Sequence, residues 1–291
     1  MEIRKVGIVG AGTMGSGIAE SVAEKGYEVV LVDRTDELIE DARNRIELSL
    51  NKKLEKWSIT EAEKRVTLSR IHPTSQLISI TPVDLVIEAV MEDPEVKKEI
   101  FRTLDNLCRE DVIFSTNTST FSITELAAAT GRPDRVIGLH FLNPVTRIKL
   151  VEIVRGLKTS DETFAIASKF VASLGKTGVE VYESPGFVTT RVIVPLLNEA
   201  MYALMEGVAS ARGIDTAMKL GFDLARGPLE LADCMGLDTV LAFMERLFRD
   251  LGDLKFRPCP LLRKLVRAGH LGVKTGQGFF KYDEEGNLIE D

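Results

Sequence analysis

Two sets of residues in the chain have the types and spacing to do chemistry. Gly10, Gly12 and Gly15 stand at G-x-G-x-x-G directly after the apolar run 6–9, and a helical pattern begins near Met14. The order strand, turn, helix gives each glycine its own role. Gly10 makes the tight turn, Gly12 lets a pyrophosphate approach the backbone, and Gly15 lets helix and strand pack closely. The N–H groups that open the helix then face the phosphates. A glycine triplet alone also fits an ordinary turn, but a second strand over 27–32 ends in Asp33, eighteen residues after Gly15. A carboxylate there hydrogen-bonds an adenosine ribose, and it would repel the 2′-phosphate of NADP. Gly10, Gly12, Met14, Gly15 and Asp33 are therefore expected to hold NAD.

The second set is His140 and Glu152. Strands are expected over 135–142 and 148–154, and if they run antiparallel about Thr146, each of these residues lies six positions from the centre. They then face each other directly across the two strands, with Cβ atoms roughly 5 Å apart. A glutamate so placed orients the imidazole and stabilises the imidazolium formed when it takes a proton. The other two histidines read as structural: His72 precedes a proline, and His270 lies near a helix end.

Two further features stay open. Ser119 sits in a run of short polar residues, 116–120, at a strand end; such runs form caps and turns, or present a hydroxyl to a ligand. The helical stretch 36–56 carries five cations (Arg43, Arg45, Lys52, Lys53, Lys56) against two acids between 43 and 56. That face is either a solvated surface or a landing site for an anionic substrate handle.

The elements that must position these groups follow from pattern. Continuous apolar runs such as 84–90 suit a parallel sheet covered on both faces. Glu88 and Glu92 mark the C-terminal end of that run, where open α/β sheets bind ligands. A short strand is expected near 66–68, a loop at 72–73, a helix over 95–107, a strand over 112–115, a helix over 161–174 and a strand over 178–182. Ser184-Pro185-Gly186 then breaks the pattern, which divides the chain into domains 1–184 and 185–291. The second is read as helices over 187–205, 215–220, 229–251 and 261–268. Its apolar surface suggests a dimer interface.

At 291 residues and a net charge of −7, the chain is sized for two domains and is not a general nucleic-acid binder. Three widely spaced cysteines form neither a disulfide framework nor a zinc site. No cleavable signal or membrane span is read, so a cytoplasmic protein without a metal is expected.

Together the chain resembles the 3-hydroxyacyl-CoA dehydrogenase family along nearly its whole length. The resemblance rests on GAGTMGSGIA at 10–19, STNTS at 115–119, GLHFLNP at 138–144, KLVEIV at 149–154, SPGFV at 184–188, NEA at 198–200 and GPLELAD at 227–233. It implies a Rossmann-type, mostly parallel α/β sheet domain followed by an all-α C-terminal domain that binds substrate and dimerises. It implies NAD-dependent, reversible oxidation of a (3S)-3-hydroxyacyl-CoA, short-chain and most similar to 3-hydroxybutyryl-CoA. His140 would remove the C3 hydroxyl proton while hydride leaves C3 for the nicotinamide, and Glu152 would orient and charge-balance it. Ser119 would bond the substrate oxygen, and Glu88, Lys97 and Asn143 would lie along the cofactor. Lys52, Lys53 and Lys56 would meet the CoA phosphates. One position departs: the family usually has Asn before Arg after Pro-Gly-Phe, and here Thr190 precedes Arg191. A shorter hydroxyl replaces a carboxamide, which is expected to lower turnover. Two competing functions keep the fold: a dehydrogenase of a free hydroxy or sugar acid, and a nucleotide-binding structural protein.

Overall fold

A computed structural model describes residues 2–289 of the chain. It divides into two compact units, Met1–Ser184 and Pro185–Asp291. The first contains β1 (Lys5–Val9), α1 (Thr13–Ala23), β2 (Glu28–Val32), α2 (Asp36–Glu55), α3 (Glu61–Ser69), β3 (Ile71–Thr74), β4 (Leu85–Glu88), α4 (Pro94–Leu107), β5 (Ile113–Thr116), α5 (Ile123–Ala127), β6 (Val136–Phe141), β7 (Leu150–Arg155), α6 (Asp161–Ser173) and β8 (Thr177–Tyr182).

All eight strands join one sheet in the order β3-β2-β1-β4-β5-β6-β7-β8. Every neighbouring pair is parallel except β6 and β7. The apolar runs explain why. β1, β2 and β4 are buried on both faces, so Val6, Ile8, Leu31 and Ile87 pack under helices that bring Ile18 and Val22 of α1 and Ile39, Ile46 and Leu50 of α2. Each such side chain contributes roughly 1.5–3 kcal/mol when fully removed from water. Parallel pairing also sets the carboxyl ends of β1, β2, β4, β5 and β6 along one edge of the sheet.

Two local expectations fail for identifiable reasons. Residues 66–68 are helical, not a strand: they lie in α3, which a Thr60–Glu63 capping box starts, with Glu63 N donating to Thr60 Oγ1 and Thr60 N donating to Glu63. The strand is instead β3, which contains His72 and Pro73. It sits at the edge and pairs only with β2, where a residue without an N–H does little harm. His72 there pairs with Glu28 at 2.7 Å, an exposed contact away from the carboxyl edge.

The second unit holds α7 (Thr189–Met205), α8 (Ala211–Phe222), α9 (Pro228–Met235), α10 (Leu237–Leu251) and α11 (Pro260–Arg267). Val194, Leu197, Met201, Leu229, Val240 and Leu247 meet in its core. The helix read over 229–251 is two helices, because Gly236 adopts φ +90° between them. Asp215 caps α9, accepting from Leu229 N at 2.9 Å and Glu230 N at 2.8 Å. Asp233 anchors the C-terminal segment, accepting from Phe279 N, Phe280 N and the Tyr282 hydroxyl at 2.9–3.0 Å. Burial raises the pKa of both carboxyls in spite of these bonds.

Candidate active site

The glycine turn is built as its spacing requires. Gly10 has φ +101°, and a Cβ there would lie 2.5 Å from the Ala89 carbonyl oxygen. At Gly15 a Cβ would lie 1.7 Å from the Gly10 carbonyl oxygen, so helix and turn touch through glycine alone. Gly12 differs: a Cβ there would meet nothing within 4 Å. No protein atom demands a glycine at that position, and the open space suits a ligand approaching the backbone. Gly12 also supplies no side-chain cap to α1, which leaves the first-turn N–H groups, near Met14, for an anion.

Asp33 follows β2 beside this turn. Its carboxylate is held by Ala11 N at 2.7 Å and by Arg34 N at 2.7 Å, so it is oriented and acceptor-only at the turn's rim. The open cradle, the uncapped helix start and the oriented acid together fit a dinucleotide.

His140 lies near the end of β6 on the same carboxyl edge. The antiparallel register pairs it directly with Glu152 on β7. His140 Nδ1 lies 2.6 Å from Glu152 Oε2, with His140 7% exposed and Glu152 1% exposed. A charge-capable hydrogen bond this short, shielded from water, fixes the ring. The loop after β6 carries Asn143, which is exposed. Lys176 pins that loop by donating to the Val145 and Ile148 carbonyls at 2.6 and 2.7 Å, and burial lowers its pKa.

Ser119 is half-buried after β5, between two threonines that hold its loop. Thr118 Oγ1 and Thr120 Oγ1 both donate to Glu92 Oε1. Glu92 Oε2 lies 3.2 Å from Lys97 Nζ, which donates to Glu88 Oε1 at 2.8 Å, and Glu88 Oε2 accepts from Thr116 Oγ1 at 2.6 Å. Asn117 Oδ1 accepts from Phe141 N at 2.8 Å, joining this loop to the strand that carries His140. Glu88 and Lys97 are thus fully buried and face each other, whereas Glu92 reaches the surface. Sequence reasoning assigned Glu88 and Lys97 to the site and put Glu92 at the same strand end, but left Thr118 and Thr120 without a role and did not join them to Glu92. The signal was a second acid four residues beyond Glu88, opposite a hydroxyl-rich strand end.

The basic helix divides. Lys52 and Lys56 are exposed, whereas Lys53 lies between Glu20 at 2.8 Å and Glu24 at 2.5 Å. Glu20 is 2% exposed, and its pKa is raised by burial. Burial opposes the charge on Lys53, but the two glutamates hold its pKa above the ordinary value. A cleft of about 180 Å³ lies between α1, α2 and the β6–β7 loop, lined by Thr13, Ser16, Arg45, Ser49, Asn143 and Thr146 among others. In the second unit Thr190 is buried in the first turn of α7. Among the described residues no cluster of three or more His, Cys, Asp or Glu is arranged to hold a metal ion, and no helix is long and apolar enough to cross a membrane.

A mostly parallel sheet with a glycine turn, an oriented acid beside it and a His–Glu pair on its carboxyl edge, followed by a helical unit, together with the family match given below, defines a Rossmann-type NAD-dependent oxidoreductase. Comparison with known proteins agrees. The family model described as 3-hydroxyacyl-CoA dehydrogenase, NAD binding domain, matches residues 5–184, and that described as 3-hydroxyacyl-CoA dehydrogenase, C-terminal domain, matches residues 186–282. The chain belongs to the 3-hydroxyacyl-CoA dehydrogenase family. It is 48% identical over 285 residues to a probable 3-hydroxybutyryl-CoA dehydrogenase of Bacillus subtilis, covering 98% of this chain and 99% of that one. The crystal structure of (S)-3-hydroxybutyryl-CoA dehydrogenase from Ralstonia eutropha matches with a TM-score of 0.92 at 46% identity, over 97% of this chain and 100% of that one. A diketoreductase described as acting on dicarbonyl compounds matches with a TM-score of 0.87 at 30% identity, over 97% and 100%.

Proposed function

We propose that the protein interconverts a short-chain (3S)-3-hydroxyacyl-CoA, 3-hydroxybutyryl-CoA foremost, and the 3-oxoacyl-CoA, with His140 as the general base. The observation that carries this is the 2.6 Å His140–Glu152 pair on the sheet's carboxyl edge, in a chain similar at 46–48% identity to proteins named for that substrate. With Nδ1 donating to Glu152, the lone pair of the imidazole lies on Nε2, which takes the C3 hydroxyl proton in oxidation and returns it in reduction. Glu152 balances the imidazolium that forms. The Ser119 hydroxyl bonds the substrate oxygen, held in place by Thr118 and Thr120 on Glu92. NAD, when bound, supplies the two-electron acceptor at C3. Gly10, Gly12, Met14 and Gly15 hold its pyrophosphate and Asp33 its ribose, with Asn143 at the mouth and the Glu88–Lys97 pair supporting the wall beside it.

Lys52 and Lys56 are assigned to the CoA phosphates. Lys53, enclosed by two glutamates, braces α2 against α1. The helical unit is assigned substrate binding and homodimer formation: Val192, Leu220 and Phe222 are 66, 83 and 71% exposed on it, apolar side chains that a second copy would cover. Three free cysteines suit a reducing cytoplasm.

The similarity to a diketoreductase motivates one alternative, a free dicarbonyl or hydroxy-acid substrate with no CoA. Steady-state NADH oxidation separates the two. Saturation by acetoacetyl-CoA with no turnover of free acetoacetate is the expected result. Equal use of the free acid would overturn the CoA assignment.

A further inference from the structure

The backbone pairing between β5 and β6 stops short of the two residues assigned to the chemistry. The strands run in parallel register only as far as Thr116 and Gly138. Ser119 lies three residues beyond that point on one chain, and His140 two beyond it on the other. His140 is held from its far flank, because β6 continues antiparallel to β7 through His140–Glu152 and Phe141–Val151. The Ser119 loop is held from the opposite flank. Thr118 Oγ1 and Thr120 Oγ1 donate to Glu92, and Thr118 N donates to Thr116 Oγ1 at 3.2 Å. None of these bonds fixes one side against the other.

Asn117 supplies that link. Its N–H donates to the Glu88 carbonyl at 2.8 Å, which keeps its backbone on β4. Its Oδ1 accepts from Phe141 N at 2.8 Å, so a side chain takes over where the β5–β6 ladder ends. A backbone N–H can only donate, which sets the orientation of the carboxamide. Phe141 is 1% exposed, and a buried N–H needs such a partner. His140 stands one residue before this bond, and Ser119 two residues after Asn117. A single oxygen on C3 must meet both the imidazole and the hydroxyl within hydrogen-bond range. An error of about 1 Å in such an arrangement costs on the order of 10²-fold in rate.

We propose that Asn117 is a positioning residue for the reaction: its bond to Phe141 N fixes the Ser119 loop against the strand of His140, so that hydroxyl and imidazole converge on the C3 oxygen. This rests on the roles given above to Ser119 and His140 and adds to them the residue that sets their spacing.

Asn117→Ala removes the link and leaves room, at a half-buried position, for water to serve Phe141 N. It is expected to keep its fold, with NADH still raising its Tm. Its kcat for acetoacetyl-CoA-dependent oxidation of NADH should fall about 10²-fold, while both KM values stay within about threefold. Asn117→Asp keeps an acceptor oxygen at the same reach and should restore kcat to within about tenfold of the wild type. Asn117→Gln keeps the carboxamide but lengthens its reach by one methylene, and is expected to lower kcat at least about tenfold. That variant tests the spacing even where the alanine protein does not fold. A cycle with Ser119→Ala shows how the residue acts: once the hydroxyl is gone there is nothing left to misplace, so adding Asn117→Ala should cost less than about threefold more. Wild-type kcat in the alanine or glutamine variant overturns the proposal, as does an aspartate variant no better than the alanine one. Losses that multiply in the double variant also overturn it, since they mark general damage to the fold. Normal turnover by Ser119→Ala or His140→Ala overturns the underlying roles instead.

Discussion

At the scale of single residues, the proposed catalysis turns on His140, whose ring is held by the buried Glu152. Glu152→Gln preserves shape but removes the charge that balances imidazolium. It is expected to lower kcat by about 10²–10⁴-fold with a much smaller change in KM for acetoacetyl-CoA. Equal loss in kcat and gain in KM would point instead to a displaced substrate. Thr190 makes the opposite kind of prediction: replacing its hydroxyl by the carboxamide that the resemblance leads one to expect, in Thr190→Asn, should raise kcat, by up to about 10²-fold if that group meets developing charge. An unchanged rate and substrate preference would show that the departure costs nothing. Much at this scale was legible in the sequence. The His140–Glu152 pairing followed from strand parity alone, and the registered strands bear it out. Burial was not legible, because no spacing rule says that Glu88 and Lys97 turn to each other while Glu92 faces outward.

At the scale of elements, α2 does two things with one run of cations. Lys53 fastens it to α1 by pairing with Glu20, and the exposed lysines lie along the neighbouring stripe. Removing one partner of such a pair leaves a buried charge, so Lys53→Met should destabilise the protein by about 3 kcal/mol, and adding Glu20→Gln should recover a large part of that loss. Urea denaturation of the two variants checks it; a double variant no more stable than the single one would contradict it. In the helical unit, Asp215 and Asp233 have pKa values raised by burial. A raised folded value means that their contribution is fully present below the unfolded pKa and is lost as pH rises through the folded one. Wild-type stability should therefore fall more than that of Asp233→Asn over the window that opens at about pH 4 and extends upward. Parallel curves would remove Asp233 from that role. The element map was readable where apolar runs or helical periods were long. It failed at 66–68, where a capping box outweighed a short β-branched run, and at Gly236, whose positive φ splits an otherwise continuous apolar period.

At the scale of the whole molecule, the glycine turn and Asp33 are proposed to set which cofactor is held, but not the reaction, since many chemistries share that grip. The division into a sheet unit and a helical unit was visible as a change of period at Ser184-Pro185-Gly186, and the two family matches meet at that point. A ligand that binds only the folded state stabilises it by about 2.7 kcal/mol at a hundredfold excess over Kd, so NADH should raise Tm, and NADPH should do so less at equal concentration because Asp33 opposes the 2′-phosphate. Equal shifts would mean that Asp33 does not discriminate. The central claim is that this sheet edge oxidises and reduces at C3 of an acyl-CoA through His140. The most direct test is the acetoacetyl-CoA-dependent oxidation of NADH by the wild-type protein and by His140→Ala. Ready turnover by the wild type is predicted, with a fall in kcat on the order of 10²–10⁴-fold in the variant and NADH still bound. Near-normal turnover by a folded His140→Ala protein would contradict it.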